Sequence, residues 1–253
     1  MFDTLGSRMK DFESITKTRL VPKVPVMLRL DGKAFHTFTK NLKRPYDDAF
    51  HECMWNAAKY LCENISGSKL AYIQSDEISL LLVDYETQET QGYFNHQVQK
   101  LVSVSAGMAS NAFLISYMKN FPERFEKCLD SGTGFPVFDS RCWNLPKHEV
   151  ENAFIWRQQD CTRNSISMLA QSHFSHKQLH KVNSNGMKDM LLNEKGINWN
   201  DCPTSQKRGV CIVQENANEQ DLQKSRWMVD KEIPIFTTPE GREYIRKLVY
   251  VGE

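Results

Sequence analysis

The sequence predicts an α+β fold, an antiparallel sheet backed by long helices, with further helices and strands added after it. Three observations lead there. Apolar runs rich in Val, Leu and Ile alternate with stretches of helical period, in the order strand, helix, strand, strand, helix, strand over residues 24–145. Only Ser75, Asp76 and Glu77 separate two of the runs, which makes them a tight hairpin. The 253 residues are 40% hydrophobic and 25% charged, so a packed core of domain size is feasible.

The first run, "VPVMLRL" at 24–30, reads as a strand ended by Asp31-Gly32. Residues 46–65 follow as a helix. Phe50, Cys53, Met54, Ala57, Leu61, Cys62 and Ile65 share one face, and Gly67 closes it. Asp47 and Asp48 occupy its first turn, where carboxylates suit the positive end of the helix dipole. "KLAYIQ" (69–74) and "ISLLLVD" (78–84) are the hairpin strands. Residues 93–119 form a long helix with Val98, Leu101, Val102, Ser105, Met108, Ala109, Ala112 and Phe113 inward, and "FPVFDSRCWNL" (135–145) is the fourth strand. Beyond it, 146–172 reads as helix, 184–196 as a helix stopped by Gly196, "RGVCIVQ" and "RWMVDKEIPIF" as strands, and 239–248 as a last helix. The texture changes near 145, so residues 1–145 are expected to form the core and 146–253 an extension packed on it.

The order of the first six elements is the split βαβ, ferredoxin-like arrangement. In that topology the first and third strands are antiparallel neighbours at the centre of the sheet. Asp31 ends the first, and Asp76 and Glu77 open the third, so the topology brings these carboxylates to one edge. Crowded carboxylates repel, and their pKa values rise unless a cation binds. Oxygen donors favour Mg²⁺ or Mn²⁺ over zinc, and two such ions suit phosphoryl transfer. Gly32 lets the backbone come close. Taken singly, Asp-Gly and Ser-Asp-Glu are ordinary turn chemistry, and only their convergence points to a site.

Other features narrow the function classes. Net charge is +1, so any polyanion site must be local; candidates are Lys40, Lys43 and Arg44, then Lys177, Lys181 and Lys188, then Lys207 with Arg208. There is no phosphate-binding loop of the G-x-x-x-x-G-K-[ST] type and no aromatic run of the RNP1 kind. No stretch reads as long and apolar enough to span a bilayer, and "MFDTLGSRMKDFES" lacks the apolar core of a secretory signal. Seven scattered cysteines without a CxxC pair read as reduced thiols of a cytoplasmic protein. His173, His176 and His180 have a spacing that can mimic a metal site, but Ser175 reads as the N-cap of a short helix with exposed histidines.

"RLDGKAFHTF" (29–38), "YIQSDEISLLL" (72–82) and "WRQQDC" (156–161), in that order and spacing, resemble the tRNA-histidine guanylyltransferase family of 3′-to-5′ nucleotide-adding enzymes. The resemblance runs through roughly residues 5–215 and points to the guanylyltransferase-like branch of bacteria and archaea. It implies a polymerase-type palm with two Mg²⁺ ions, for which Mn²⁺ can substitute. Asp31 and Asp76 would bind both metals and the Gly32 carbonyl one of them. Glu77 would join these two as a catalytic group, either as a ligand or behind the ligands. Asp31, Gly32, Lys33, Ala34, Phe35 and His36 would wrap a nucleoside triphosphate, with Ser75 and Asp76 beside it. Asp47, in "RPYDDAF", would contact the base of an activating nucleotide. Arg44, Lys100, Arg141, Asn164 and Lys188 would face the triphosphate or the RNA end. Read without the family, Lys100 and Arg141 serve equally well as ion-pair partners.

The implied partners are tRNA, ATP, GTP and other nucleoside triphosphates, with assembly as a homotetramer and no membrane. One departure bears on activity. After "WRQQDC" the eukaryotic enzyme continues His-Ile-Asn-Asn, and here the chain reads Thr162-Arg163-Asn164-Ser165. That segment is tied to adding a non-templated G to tRNA-His. Its change favours templated repair of 5′ ends, with addition of the extra G as the alternative. A palm-type nucleotide cyclase is disfavoured by "WRQQDC" and by the absence of a GGDEF-type loop, and a non-catalytic RNA-binding module would not need the carboxylates.

Overall fold

The computed structural model describes residues 4–215 and 226–251. Among these residues six strands form one antiparallel sheet: β1 Val26–Gly32, β2 Ser68–Gln74, β3 Glu77–Leu82, β4 Phe138–Asn144, β5 Val210–Glu215 and β6 Arg226–Asp230, in the order β4-β1-β3-β2-β5-β6. The helices are α1 Thr4–Ser14, α2 Phe35–Phe38, α3 Asp48–Asn64, α4 Val98–Asn120, α5 Pro122–Ser131, α6 Lys147–Gln171, α7 His176–Leu179, α8 Ser184–Lys195, α9 Thr204–Arg208 and α10 Pro239–Val249. The run β4-β1-β3-β2 is the ferredoxin-like sheet that the sequence order predicts. β5 pairs with β2, so the C-terminal part lengthens the same sheet.

Alternation along each strand sorts side chains onto two layers. Val26, Leu28, Leu30, Ile78, Leu80 and Phe138 face α3 and α4 with Phe50, Met54, Leu61 and Phe113. Met27, Leu70, Tyr72 and Leu81 face the opposite layer with Val150 and Phe154 of α6 and Ile245 of α10. Full burial of each large apolar side chain contributes about 1.5–3 kcal/mol. A third cluster, with Ile166, Leu169, Phe174, Leu191 and Trp199, joins the end of α6 to α8.

Some local expectations are corrected. Asp31 and Gly32 lie inside β1 and Glu77 inside β3, so the hairpin turn is only Ser75-Asp76, with Ser75 at φ 49°. Cross-strand pairing continues to the last residue before the turn, which is why the strands run longer than their apolar runs. α3 stops at Asn64, and Gly67, at φ 84°, turns the chain into β2. α4 is long and apolar enough to cross a membrane by length and composition, contrary to the sequence expectation. In this fold it is a core helix, with Leu101, Ala109, Phe113 and Tyr117 buried. The sequence does not mark α1 or α5; α1 buries no side chain, and α5 turns only Phe125, partly buried, to the core, so neither shows a repeating core face. The histidine stretch is as expected: Ser175 caps α7 in a capping box with Gln178, and His173, His176 and His180 are exposed.

Candidate active site

The register places Asp31 opposite Glu77 on β3 and opposite Asp139 on β4. Three neighbouring strands therefore bring a carboxylate to one edge. Burial raises the Asp31 carboxyl above its ordinary range. The charges of Asp76, Glu77 and Asp139 add to that, and Arg141 opposes it. Burial likewise raises Asp76, against relief from its own backbone N–H and the Ser75 hydroxyl. The Asp76 carbonyl accepts from Gly32 N–H at 3.1 Å, which joins the turn to the end of β1.

Glu77 is differently placed. Arg157 of α6 donates from Nε to its Oε1 at 2.7 Å, and the Ser79 hydroxyl donates to the same oxygen at 3.3 Å. Arg157 also bonds Asp160 at 2.7 Å. The "WRQQDC" stretch is thus tied to the "SDE" stretch by an ion pair. Glu77 is neutralised within the chain, while Asp31 and Asp76 remain crowded. Among the described residues no three His, Cys, Asp or Glu side chains converge to cage a metal. The arrangement instead offers two carboxylates beside open space, a donor set suited to an ion that shares its shell with phosphate and water.

After β1 the chain folds over this edge. Lys33 N–H donates to Val137 O at 2.8 Å, and Ala34 takes a left-handed φ of 56° to start α2. Phe35 plunges into an aromatic cluster with Phe38, Phe50, Phe113 and Phe138. Its ring lies against Gly32: a Cβ there would sit 2.4 Å from the ring. Glycine at 32 is therefore required by packing. His36 stays exposed and lowers the Asp76 pKa by its charge.

A cavity of about 340 Å³ opens beside Asp76, within the range of small-molecule sites. Of the anticipated residues, Phe35, His36, Arg44, Asp47, Ser75, Asp76 and Asn164 line it. Tyr46, His51, Trp55 and Ser165, which the sequence does not mark as nucleotide contacts, stand in the same wall. The imidazole of His51 stacks on Trp55, with ring centres 6.2 Å apart, and burial lowers its pKa. Their spacing of four on α3, just after the capping Asp47, was the available signal. Tyr46 OH and Trp199 Nε1 both donate to the Ser165 hydroxyl at 2.9 Å. Asp47 is the N-cap of α3: Oδ1 accepts from Phe50 N–H at 3.1 Å and Oδ2 from Lys43 N–H at 3.0 Å.

The remaining cations lie elsewhere. Arg141 is exposed beside the carboxylates and bonds Asp139 at 2.5 Å. Lys100, in the first turn of α4, lies 5.6 Å from the Phe94 ring centre. That turn follows His96, which bonds Asp84 beyond the Leu82 end of β3, away from Glu77. Lys188 of α8 lies 4.4 Å from the Trp199 ring centre. Neither lysine lines the cavity. Thr162, at the point of departure noted above, donates its hydroxyl to Lys207 O at 3.3 Å.

Comparison with known proteins gives a consistent result. The family described as tRNAHis guanylyltransferase (Thg1) matches residues 6–146. A structure of a bacterial tRNA(His) guanylyltransferase-like protein in complex with ATP is 44% identical, covers 98% of this chain and 100% of that one, and superposes with a TM-score of 0.88. A bacterial structure of the same description with GTP is 40% identical over the same shares, with a TM-score of 0.80. The tRNA(His) guanylyltransferase of Debaryomyces hansenii is 31% identical over 225 residues, 82% of this chain and 79% of its own. The family match spans more than half of the chain, and the palm-type fold is shared with the solved relatives; the chain belongs to the tRNA-histidine guanylyltransferase family and is a nucleotidyltransferase.

Proposed function

We propose that the protein adds nucleotides in the 3′-to-5′ direction to the 5′ end of tRNA, choosing each by pairing with the opposite strand of the acceptor stem. The observation that carries this is Asp76 in the wall of a small-molecule cavity with Asp31 crowded near it, both raised in pKa and, among the described residues, without an ion-pair partner. Such a donor set fits Mg²⁺, with Mn²⁺ as a substitute. Asp31, Asp76 and the Gly32 carbonyl would hold two ions, which would promote ionisation of the attacking hydroxyl and stabilise the leaving oxygen.

The reaction has two transfers. An oxygen of the 5′-monophosphate of the RNA attacks the α-phosphorus of ATP or GTP, pyrophosphate leaves, and a 5′–5′ linkage forms. The 3′-hydroxyl of the incoming nucleotide then attacks the RNA 5′-phosphorus and displaces the nucleoside monophosphate. The cavity would hold the activating nucleoside, its base near Asp47, His51 and Trp55. That the two bacterial relatives are in complex with ATP and GTP supports nucleotide binding as such. Residues 31–36 and Ser75 would wrap a triphosphate, with Arg44, Asn164 and Arg141 along it. Lys100 and Lys188, away from the cavity, would meet RNA. Glu77 would act by fixing Arg157. We place the chemistry in 1–145, with 146–253 completing the cavity wall, and expect a homotetramer.

Templated repair is favoured over addition of the extra G because Thr162 and Ser165 are committed to internal bonds with Lys207, Tyr46 and Trp199. The test compares 5′-truncated tRNAs of several identities with full-length tRNA-His, supplying all four nucleoside triphosphates. Truncated ends should be filled with whichever nucleotide complements the facing base, and the reaction should stop when the stem is full. Efficient G addition to full-length tRNA-His with little activity on truncated ends would overturn repair in favour of the guanylyltransferase activity.

A further inference from the structure

The sheet face that carries Asp31 holds a second feature, on the side away from the cavity. Trp156 of α6 is 50% exposed. The Arg29 guanidinium lies 5.6 Å from its ring centre and 5.8 Å from that of Trp143, so one cation sits between two indoles. The Arg157 guanidinium lies 4.3 Å from the same Trp156 ring. Both cations tie Trp156 to the carboxylate edge. Arg29 is two residues before Asp31 on β1, hence on the same face and about 6.8 Å along the strand. Arg157 holds Glu77, the register partner of Asp31.

Arg29 is placed as if for an anion. Its register partner on β4 is Arg141, and like charges directly opposite on a sheet are destabilising. Among the described residues no carboxylate pairs with Arg29. Trp156 stands in solvent above the half-buried Arg29 and Trp143, whereas the cavity on the other side of Asp76 is walled by α3, α6 and α9. A solvent-facing ring backed by a cation admits the end of a polymer, and a walled cavity suits a single nucleotide.

We infer that Trp156 is a stacking platform for a nucleobase of the RNA strand whose 5′ end is being extended, with Arg29 as its cationic support. This rests on the proposed transfer to RNA. A ring face accepts any base, so such a platform holds the strand without choosing its sequence, as templated addition requires.

The test uses tRNA lacking its first nucleotide, with 2-aminopurine at the new 5′ terminus, and the variants Trp156→Leu and Trp156→Tyr. Without nucleoside triphosphate, wild type and Trp156→Tyr should quench the 2-aminopurine fluorescence and Trp156→Leu should not. In turnover, Trp156→Leu should raise KM for RNA by between about 5- and 150-fold, the range expected for one lost base stack, with KM for ATP unchanged. Quenching and RNA KM like wild type in Trp156→Leu, while wild type adds nucleotides, would overturn the platform alone. A parallel rise in KM for ATP would also overturn it, by placing the defect in the fold or the carboxylates. Wild type that quenches through Trp156 but adds no nucleotide to any RNA would keep the platform and overturn the proposed function.

Discussion

Replacing Asp76 by Asn keeps its shape and removes its charge, which separates its chemistry from its cost to the fold. Its carboxyl lies above the ordinary 3.8 because of burial, so the folded protein binds the proton more tightly than the unfolded chain does. Below pH 3.8 both states are protonated and the group costs nothing; as pH rises to and through the folded value the penalty grows, and at neutral pH it is complete. Asp76→Asn should therefore raise Tm in metal-free buffer at neutral pH, leave Tm unchanged at the acid end, and abolish nucleotide addition. Scanning calorimetry across pH decides it, and a lower Tm at neutral pH counts against the repulsion argument. Glu77 calls for the opposite expectation. Its side chain and that of Arg157 are 13% and 10% exposed, so Arg157→Met strands a buried carboxylate and should cost about 3 kcal/mol in urea unfolding. Adding Glu77→Gln should recover much of that loss. No recovery in the double variant would mean that Arg157 acts through Asp160 instead. Sequence pattern could name both residues as motif members, but not their pairing: they are 80 positions apart, and only the docking of α6 on the sheet joins them.

Elements with a core face were the legible ones. α3 shows its period because one side packs on the sheet, and Phe50, Cys53, Met54, Ala57, Leu61 and Cys62 are all buried as their spacing required. The carboxylate edge was readable for a related reason: strand order alone brings Asp31 to Glu77. The cavity was not, because its walls come from the loop before α3, from α6 and from α9, and no local pattern records that they meet. The link between β1 and α2 makes a separate prediction. Gly32→Ala would drive a methyl into the Phe35 ring, and overpacking of this kind costs about 1–3 kcal/mol. Activity should fall with it, since residues 31–36 depend on Phe35 as their anchor. The double variant Gly32→Ala/Phe35→Leu should regain stability relative to Gly32→Ala. Failure to regain it would show that the glycine serves backbone approach at the site and not the aromatic cluster.

At the scale of the whole molecule, net charge of +1 offers one subunit little electrostatic hold on a tRNA. α1 buries none of its side chains, and Met9 and Phe12, one turn apart, are 48% and 64% exposed. A homotetramer would gather cations from several subunits and give these side chains a partner. Light scattering should report four subunits, and Phe12→Glu should lower that mass; a fully active monomer would refute the assembly. The pairing of β1 with β3 has a last consequence, one of time. From Val26↔Leu82 to Leu30↔Ile78 the rungs are mostly apolar, and the final rung sets Asp31 against Glu77. The ladder is thus a zipper with one weak end, and that end is the site. In deuterium exchange the amides of Gly32 and Glu77 should open far sooner than those of Leu28 and Leu80. A bound metal and nucleotide would staple the weak end shut, so the exchange rate of a few amides becomes a clock that reads whether the site is occupied.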